Sequence, residues 1–200
     1  MTLAVFTNRS AWARILMIAI GAGCGSAIPT GTPGVERVGR TVLRYAGPEV
    51  DVVLSYRVAS VRPGEEWLFL DVAITGAGHT AVEVQRGRIA VRVPGGDAIP
   101  LATQKEFGEA YSHLAAALAR ADVASEPLDY FVGRAPKRLD FLVAPGSGIA
   151  FDSVWINDRE VATGRICFFV PGGVQDGPYE LRIDLQESKV RIPFRLGERS

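Results

Sequence analysis

Histidine, cysteine and methionine are scarce: the 200 residues contain two of each. A zinc or copper site takes three or four His, Cys or acidic ligands. His79 and His113 stand far apart and no HxxxH or CxxC pair occurs, so no metal and no cofactor is expected. Both methionines, Met1 and Met17, precede the stretch expected to fold, which removes thioether copper ligation from it. With only Cys24 and Cys167, no disulfide framework can replace a hydrophobic core. The chain also lacks a Gly-rich loop ending in Lys-Ser/Thr, a D-x-D-x-D-G calcium loop and a G-x-S-x-G elbow. Gly146-Ser147-Gly148 follows Pro145 and reads as a turn. No apolar run reaches the roughly 20 residues that span a bilayer. There is no basic run either, and the formal net charge is +0, which argues against nucleic acid and against electrostatic adhesion to anionic lipid.

What is present begins with an address. Residues 1–14 carry Arg9, Arg14 and no acid; residues 15–23, Ile-Leu-Met-Ile-Ala-Ile-Gly-Ala-Gly, are uncharged and apolar and end in small residues before Cys24. Positive, then apolar, then small is the layout of an export signal. A buried amphipathic helix does not fit, because the run has no polar face. The small residues before Cys24 resemble the lipobox of bacterial lipoproteins, in which the cysteine is acylated and becomes the mature N-terminus. Gly21 departs from that pattern, since leucine is usual there. The alternative is ordinary cleavage after Ala27, with Gly25-Ser26-Ala27 as the small-residue site. Cys24 fits the lipoprotein pattern better, so membrane attachment through an N-terminal lipid is the expectation. Without residues 1–24 the 22 basic residues fall to 20 against 22 acidic ones.

Residues 25–39 read as a flexible linker, because 25–36 (GSAIPTGTPGVE) is built from Gly, Pro, Ser and Thr. Twelve extended residues reach about 40 Å. A single domain is expected over residues 40–197, where apolar content of 48% across the chain suffices for a core. Period-two alternation predicts strands over Val50–Val61, Trp67–Thr75, Val82–Val84, Arg88–Val93, Leu139–Val143, Phe151–Ile156, Tyr179–Leu185 and Lys189–Leu196. Arg165–Val170 is almost continuously apolar and predicts a central strand covered on both faces. Arg62-Pro63-Gly64-Glu65, Pro94-Gly95-Gly96-Asp97 and Pro171-Gly172-Gly173 read as turns.

One segment has a different period. Phe107, Tyr111, Leu114 and Leu118 recur at helical spacing, Thr103 and Glu106 fit a capping box, and Pro127 bounds the other end. An inserted helix at about 104–123 is predicted, capping an open end of the core. Strands without βαβ rhythm then indicate a mainly β fold, an antiparallel sandwich with one inserted α-helix.

The stretch Val161-Ala-Thr-Gly-Arg-Ile-Cys-Phe-Phe-Val-Pro171, followed by Tyr179-Glu-Leu-Arg-Ile183, is similar to the closing strands of the telokin-like, immunoglobulin-like domains of bacterial surface lipoproteins. Those read G-x-x-x-F-x-V-P and then Y-x-L. Leu70-Asp-Val-Ala-Ile-Thr75 resembles their middle strand. The resemblance covers about residues 50–196, rests on packing and turn motifs, and has the helix as its departure. It implies an immunoglobulin-like β-sandwich on a tethered lipoprotein and carries no catalytic residues.

Acidic residues occur as Glu65-Glu66, as Glu106 with Glu109, and as Asp122, Glu126 and Asp129. Paired carboxylates serve glycoside hydrolysis. No alternating aromatic platform accompanies these, and they read as solvated loop and helix acids. Trp67 and Phe69 share the strand face opposite Leu68 and Leu70; they read as core, or, if exposed together, as a partner contact. Cys167, inside an apolar run, reads as a buried, unreactive thiol. The sequence thus describes an exported protein of the cell envelope with no catalytic residue. It acts as a binding or structural module, with an envelope protein as candidate partner. A small-ligand module at the helix-capped end is the alternative, and an envelope hydrolase the least favoured.

Overall fold

The computed structural model describes residues 34–61 and 65–197. The export-type segment with Cys24, residues 25–33 and turn residues 62–64 lie outside the described residues. In chain order the elements begin with β1 (Val35–Arg37), β2 (Val42–Ala46), β3 (Val50–Ser55), α1 (Arg57–Ser60) and β4 (Trp67–Gly76). Then come β5 (Val82–Gln85), β6 (Ile89–Arg92), β7 (Ala98–Pro100) and the long helix α2 (Gln104–Ala124). The chain closes through β8 (Ala135–Arg138), β9 (Ser153–Ile156), β10 (Glu160–Phe169), β11 (Gly177–Asp184) and β12 (Lys189–Leu196).

The fold is mainly β, and its strands form two principal sheets. One has six strands in the order β1-β2-β3-β4-β10-β8, the other four in the order β12-β11-β6-β7, and β5 and β9 make a separate ribbon. Every pairing is antiparallel except β8 with β10. Alternation assigns the faces. Leu68, Leu70, Val72 and Ile74 of β4 and Ile166 and Phe168 of β10 meet Tyr179, Leu181 and Ile183 of β11 and Val190, Ile192 and Phe194 of β12 in one buried cluster. That cluster is the interior of a sandwich. Phe194 stacks between Tyr56 and Tyr179, with centroids 5.3 Å away on each side. At the entry to β11 the Tyr179 hydroxyl donates to the Gln175 carbonyl at 2.7 Å and accepts from the Gln175 amide. This tyrosine bonding to backbone four residues upstream is the corner found in immunoglobulin-like sandwiches, with which the fold is compatible.

The two sheets differ on their outer faces. On the six-stranded sheet, Phe69 and Cys167 are apolar and point outward; α2 lies over them through Phe107, Leu114, Ala117 and Ala121. Beside them Val42, Val53, Ala73 and Val161 are covered by Phe131 of the strap that follows α2, residues 125–134. The outer face of the four-stranded sheet carries no such layer among the described residues: Pro178, Arg182 and Asp184 of β11, and Lys189, Arg191 and Arg195 of β12, are half-buried or exposed.

Several expectations need correction. The helix spans 104–124 and its capping box is complete, but it lies across the outer face of β4 and β10 and does not plug an open end. An apolar face made by Phe69 and Cys167 has to be covered, and that need fixes its place. The sheet also starts inside the stretch read as linker, since Val35–Arg37 pair with Leu43–Tyr45. The strand expected over Val50–Val61 stops at Ser55, and α1 follows. Tyr56 belongs to the sandwich interior and Val58 to the layer under α2, so the chain must turn between them. Leu139 and Phe141 are buried but irregular, and the strand there is the preceding β8. Gly164 explains that departure: a Cβ on it would stand 2.8 Å from the Leu139 Cβ and 2.9 Å from the Leu139 carbonyl oxygen. A residue without a side chain lets Leu139 cross the strand.

Candidate functional site

A cluster of hydrogen-bonded polar side chains around the buried Asp71 lies where the strap leaves α2. Asp71 on β4 and Arg165 on β10 are direct cross-strand partners on the outer face of the six-stranded sheet. The Arg165 Nε donates to Asp71 Oδ1 at 2.8 Å, one terminal nitrogen to Asp122 Oδ1 at 2.7 Å, and the other to Ser125 Oγ at 2.6 Å. Ser125 in turn lies 2.8 Å from Asp71 Oδ2. The last turn of α2 has no basic residue of its own and carries Asp122 against the negative end of the helix dipole. Arg165, reaching up from the sheet, supplies the missing cation. Burial pulls its pKa down, but the hydrogen bonds and charges of Asp71 and Asp122 outweigh that and hold it above the ordinary arginine value.

Next to it, Glu126 accepts from Ser55 Oγ at 2.8 Å and Thr41 Oγ1 at 3.0 Å, with the Arg57 guanidinium 3.7 Å away. Glu126 and the Asp71–Arg165–Asp122–Ser125 group wall a shallow cleft of about 410 Å³, completed by Val72, Leu128, Asp129, Thr163 and Gly164. The chemistry available there is limited. Three of the five Arg165 N–H groups are already engaged, and the Asp71 and Asp122 carboxylates balance its charge, which disfavours an anionic ligand there. Ser125 faces a carboxylate and a guanidinium, with no imidazole beside it to take its proton. Among the described residues no group of three or more His, Cys, Asp or Glu could hold a metal ion.

Of the residues singled out from sequence, Asp122, Glu126 and Asp129 line this cleft, and the others fall elsewhere. Phe69 is buried under α2, so it cannot contact a partner; Trp67 is half-buried. Across the ladder Trp67 meets Phe169, ring centroids 5.7 Å apart, and it is Phe169 that is exposed. Trp67 and Phe69 are therefore not exposed together, the condition on which a shared partner contact rested. Cys167 is free and fully buried, and burial pushes its thiol up to about 12. His113 is exposed on α2. His79, also exposed, places Nδ1 2.5 Å from Asp158 Oδ2, a hydrogen bond that lowers the Asp158 pKa. Glu106 is engaged in the capping box.

The Asp71–Arg165–Ser125 group was not recognised from sequence. The signal was a single acid within the apolar run of β4 and a single base within that of β10; what the pattern lacks is the register that sets them opposite one another. No protein-family model matches the chain, nor does any curated protein or solved structure.

Proposed function

We propose that this is an exported envelope protein, held to a membrane by acylated Cys24, whose sandwich serves as a binding or structural module. The observation that carries the reading is the order of residues 1–24: two arginines, a nine-residue apolar run, small residues and then Cys24. The tyrosine corner at Tyr179 supports the immunoglobulin-like character that the Y-x-L motif implies for such lipoproteins. The way Arg165, Asp71 and Ser125 satisfy one another favours a structural polar joint over a catalytic centre. The partner class that fits is another component of the envelope.

Fractionation tests the anchor. The wild-type protein is expected in the membrane fraction and Cys24→Ser in the soluble one; an unchanged distribution defeats the proposal. A second reading is favoured by one observation, the cleft beside Asp122, Glu126 and Asp129. There the module would take a small ligand rich in hydrogen-bond donors. Protection of the strap from protease by such a ligand, lost in Glu126→Gln, would support it.

A further inference from the structure

A second hollow lies on the β5–β9 ribbon and shares no residue with the cleft beside α2. The ribbon has two unlike faces. Val84, Val154 and Ile156 point inward and belong to the main core, which fixes the ribbon in place. Glu83, Gln85, Ser153 and Trp155 point the other way, because side chains alternate along a strand. The hollow there has a volume of about 350 Å³ and is lined by Glu83, Gln85, Arg86, Gly87, Asp152 and Ser153.

Its polar groups are already oriented. The Gln85 amide donates to Glu83 Oε2 at 2.7 Å, and Ser153 bonds the same carboxylate. These bonds hold the Glu83 pKa below its ordinary value, so the group is an ionised acceptor at neutral pH. Arg86 pairs with Asp152 Oδ1 at 2.5 Å. Each carboxylate or amide oxygen accepts more than one bond, so Glu83, the Gln85 side-chain carbonyl and Asp152 keep acceptor capacity for a ligand. Charge is balanced, with Glu83 and Asp152 set against Arg86 and the neighbouring Arg88, and selects neither an anion nor a cation.

One side chain on this face is out of keeping with solvent. Trp155 stands directly across the ladder from Glu83, which puts their Cβ atoms about 5 Å apart. It is 55% exposed, and Phe151, beside Asp152, is exposed too. Val154 and Ile156 already supply the burial that holds β9, so the strand does not need an aromatic at 155.

We infer that the outer face of this ribbon binds a neutral oligosaccharide, with a sugar ring stacked on Trp155 and its hydroxyls on Glu83 and Gln85. A sugar matches both halves of the face. Its C–H side is apolar and lies flat on an aromatic ring, and its hydroxyls donate to carboxylate and amide oxygens. A protein partner matches less well: no residue lining the hollow is aliphatic or aromatic, so an apolar anchor would find no socket. A shallow hollow also suits a polymer lying across it better than a small molecule that must be engulfed. The inference rests on the binding-module reading above, not on the Cys24 anchor, and makes the envelope component a polysaccharide.

The test uses the full chain carrying Cys24→Ser, so anchoring plays no part in the readout. Calorimetric titration is made with cellohexaose, laminarihexaose, mannohexaose and chitohexaose, and saturable binding to at least one is expected. Trp155→Ala should weaken it about tenfold or more, and Trp155→Phe, which keeps a stacking ring, should recover part of the loss. Glu83→Gln keeps the shape and should weaken it about threefold to tenfold; it carries the test if Trp155→Ala does not hold the wild-type unfolding midpoint. Phe169→Ala removes an exposed aromatic from the six-stranded sheet and should leave affinity within about twofold. No binding to any of these sugars overturns the inference, while Cys24-dependent fractionation would leave the anchor standing. Affinity unchanged in both Trp155→Ala and Glu83→Gln overturns this face as the site. Binding to heparin alone overturns the neutral class, and Trp155-dependent binding to reduced, carboxymethylated lactalbumin alone gives the face to a protein.

Discussion

Arg165 and Asp71 face one another across the β10–β4 ladder, 2.8 Å apart, and every other group of the polar joint at the end of α2 depends on that pair. Neither charge is well exposed, their side chains keeping only 16% and 12% of their accessible surface. Removing one partner strands the other. Arg165→Met is expected to lower stability by about 2–3 kcal/mol, somewhat less than for a fully enclosed pair. Adding Asp71→Asn should restore part of the loss. A urea-unfolding double-mutant cycle measures the coupling; additivity within about 0.5 kcal/mol would show that the pair does not act as a unit.

The capping box gives a pH signature. Thr103 Oγ1 accepts from the Glu106 amide, and the Glu106 carboxylate accepts from the Thr103 amide at 2.7 Å. Thr103→Ala should cost about 1 kcal/mol in unfolding experiments. The backbone and side-chain hydrogen bonds from Thr103 lower the Glu106 pKa in the folded state. A lowered folded value means stability that is complete above the unfolded carboxylate pKa and is lost as pH falls through the folded one. Glu106→Gln should therefore flatten the acid limb of the stability curve.

Cys167 titrates in the opposite sense. Burial lifts its thiol from 9.0 to about 12, so its contribution is complete below pH 9 and fades as pH rises through that interval. Native protein should react with a thiol reagent only as fast as it unfolds, whereas urea-unfolded protein should react at once. Prompt labelling of the folded form would contradict the burial under α2. Cys167→Ser places a hydroxyl there and should cost about 1–3 kcal/mol.

Gly164→Ala tests the crossing of Leu139. The added carbon would stand inside contact distance of both the Leu139 side chain and its carbonyl, so the loop must shift. A loss of about 1–3 kcal/mol is expected. Gly87→Ala, where a Cβ meets nothing within 4 Å, is the matched control and should change little on calorimetry.

Much of this architecture was legible from period alone. Trp67–Thr75, Tyr179–Leu185 and Lys189–Leu196 alternate because one face is buried, and the helix declares itself through Thr103, Glu106, Phe107 and Leu114. What was not legible required knowledge of partners. Tyr56 and Val58 look like successive positions of one strand face, yet each serves a different layer. Phe69 has the same composition signal whether covered by a helix or bare. The polar joint combines β4, β10 and α2, and a linear pattern holds no information on register between strands so far apart. The charged outer face of the four-stranded sheet is invisible for the same reason: Arg92, Arg182 and Arg191 become neighbours only when β6, β11 and β12 align.

Asp71 and Arg165 are separated by 94 positions along the chain. Strands β1 to β4 pair in succession and can form as a local meander, but β4 then has to wait for β10. Closing so long a loop before its contacts reward it is slow, so the middle of the sheet is expected to be the late and rate-limiting event of folding. Until it happens β4 offers an unpaired hydrogen-bonding edge and two apolar faces. That half-built sheet is the stage at which a holding chaperone has something to grasp, and at which two chains meeting would aggregate.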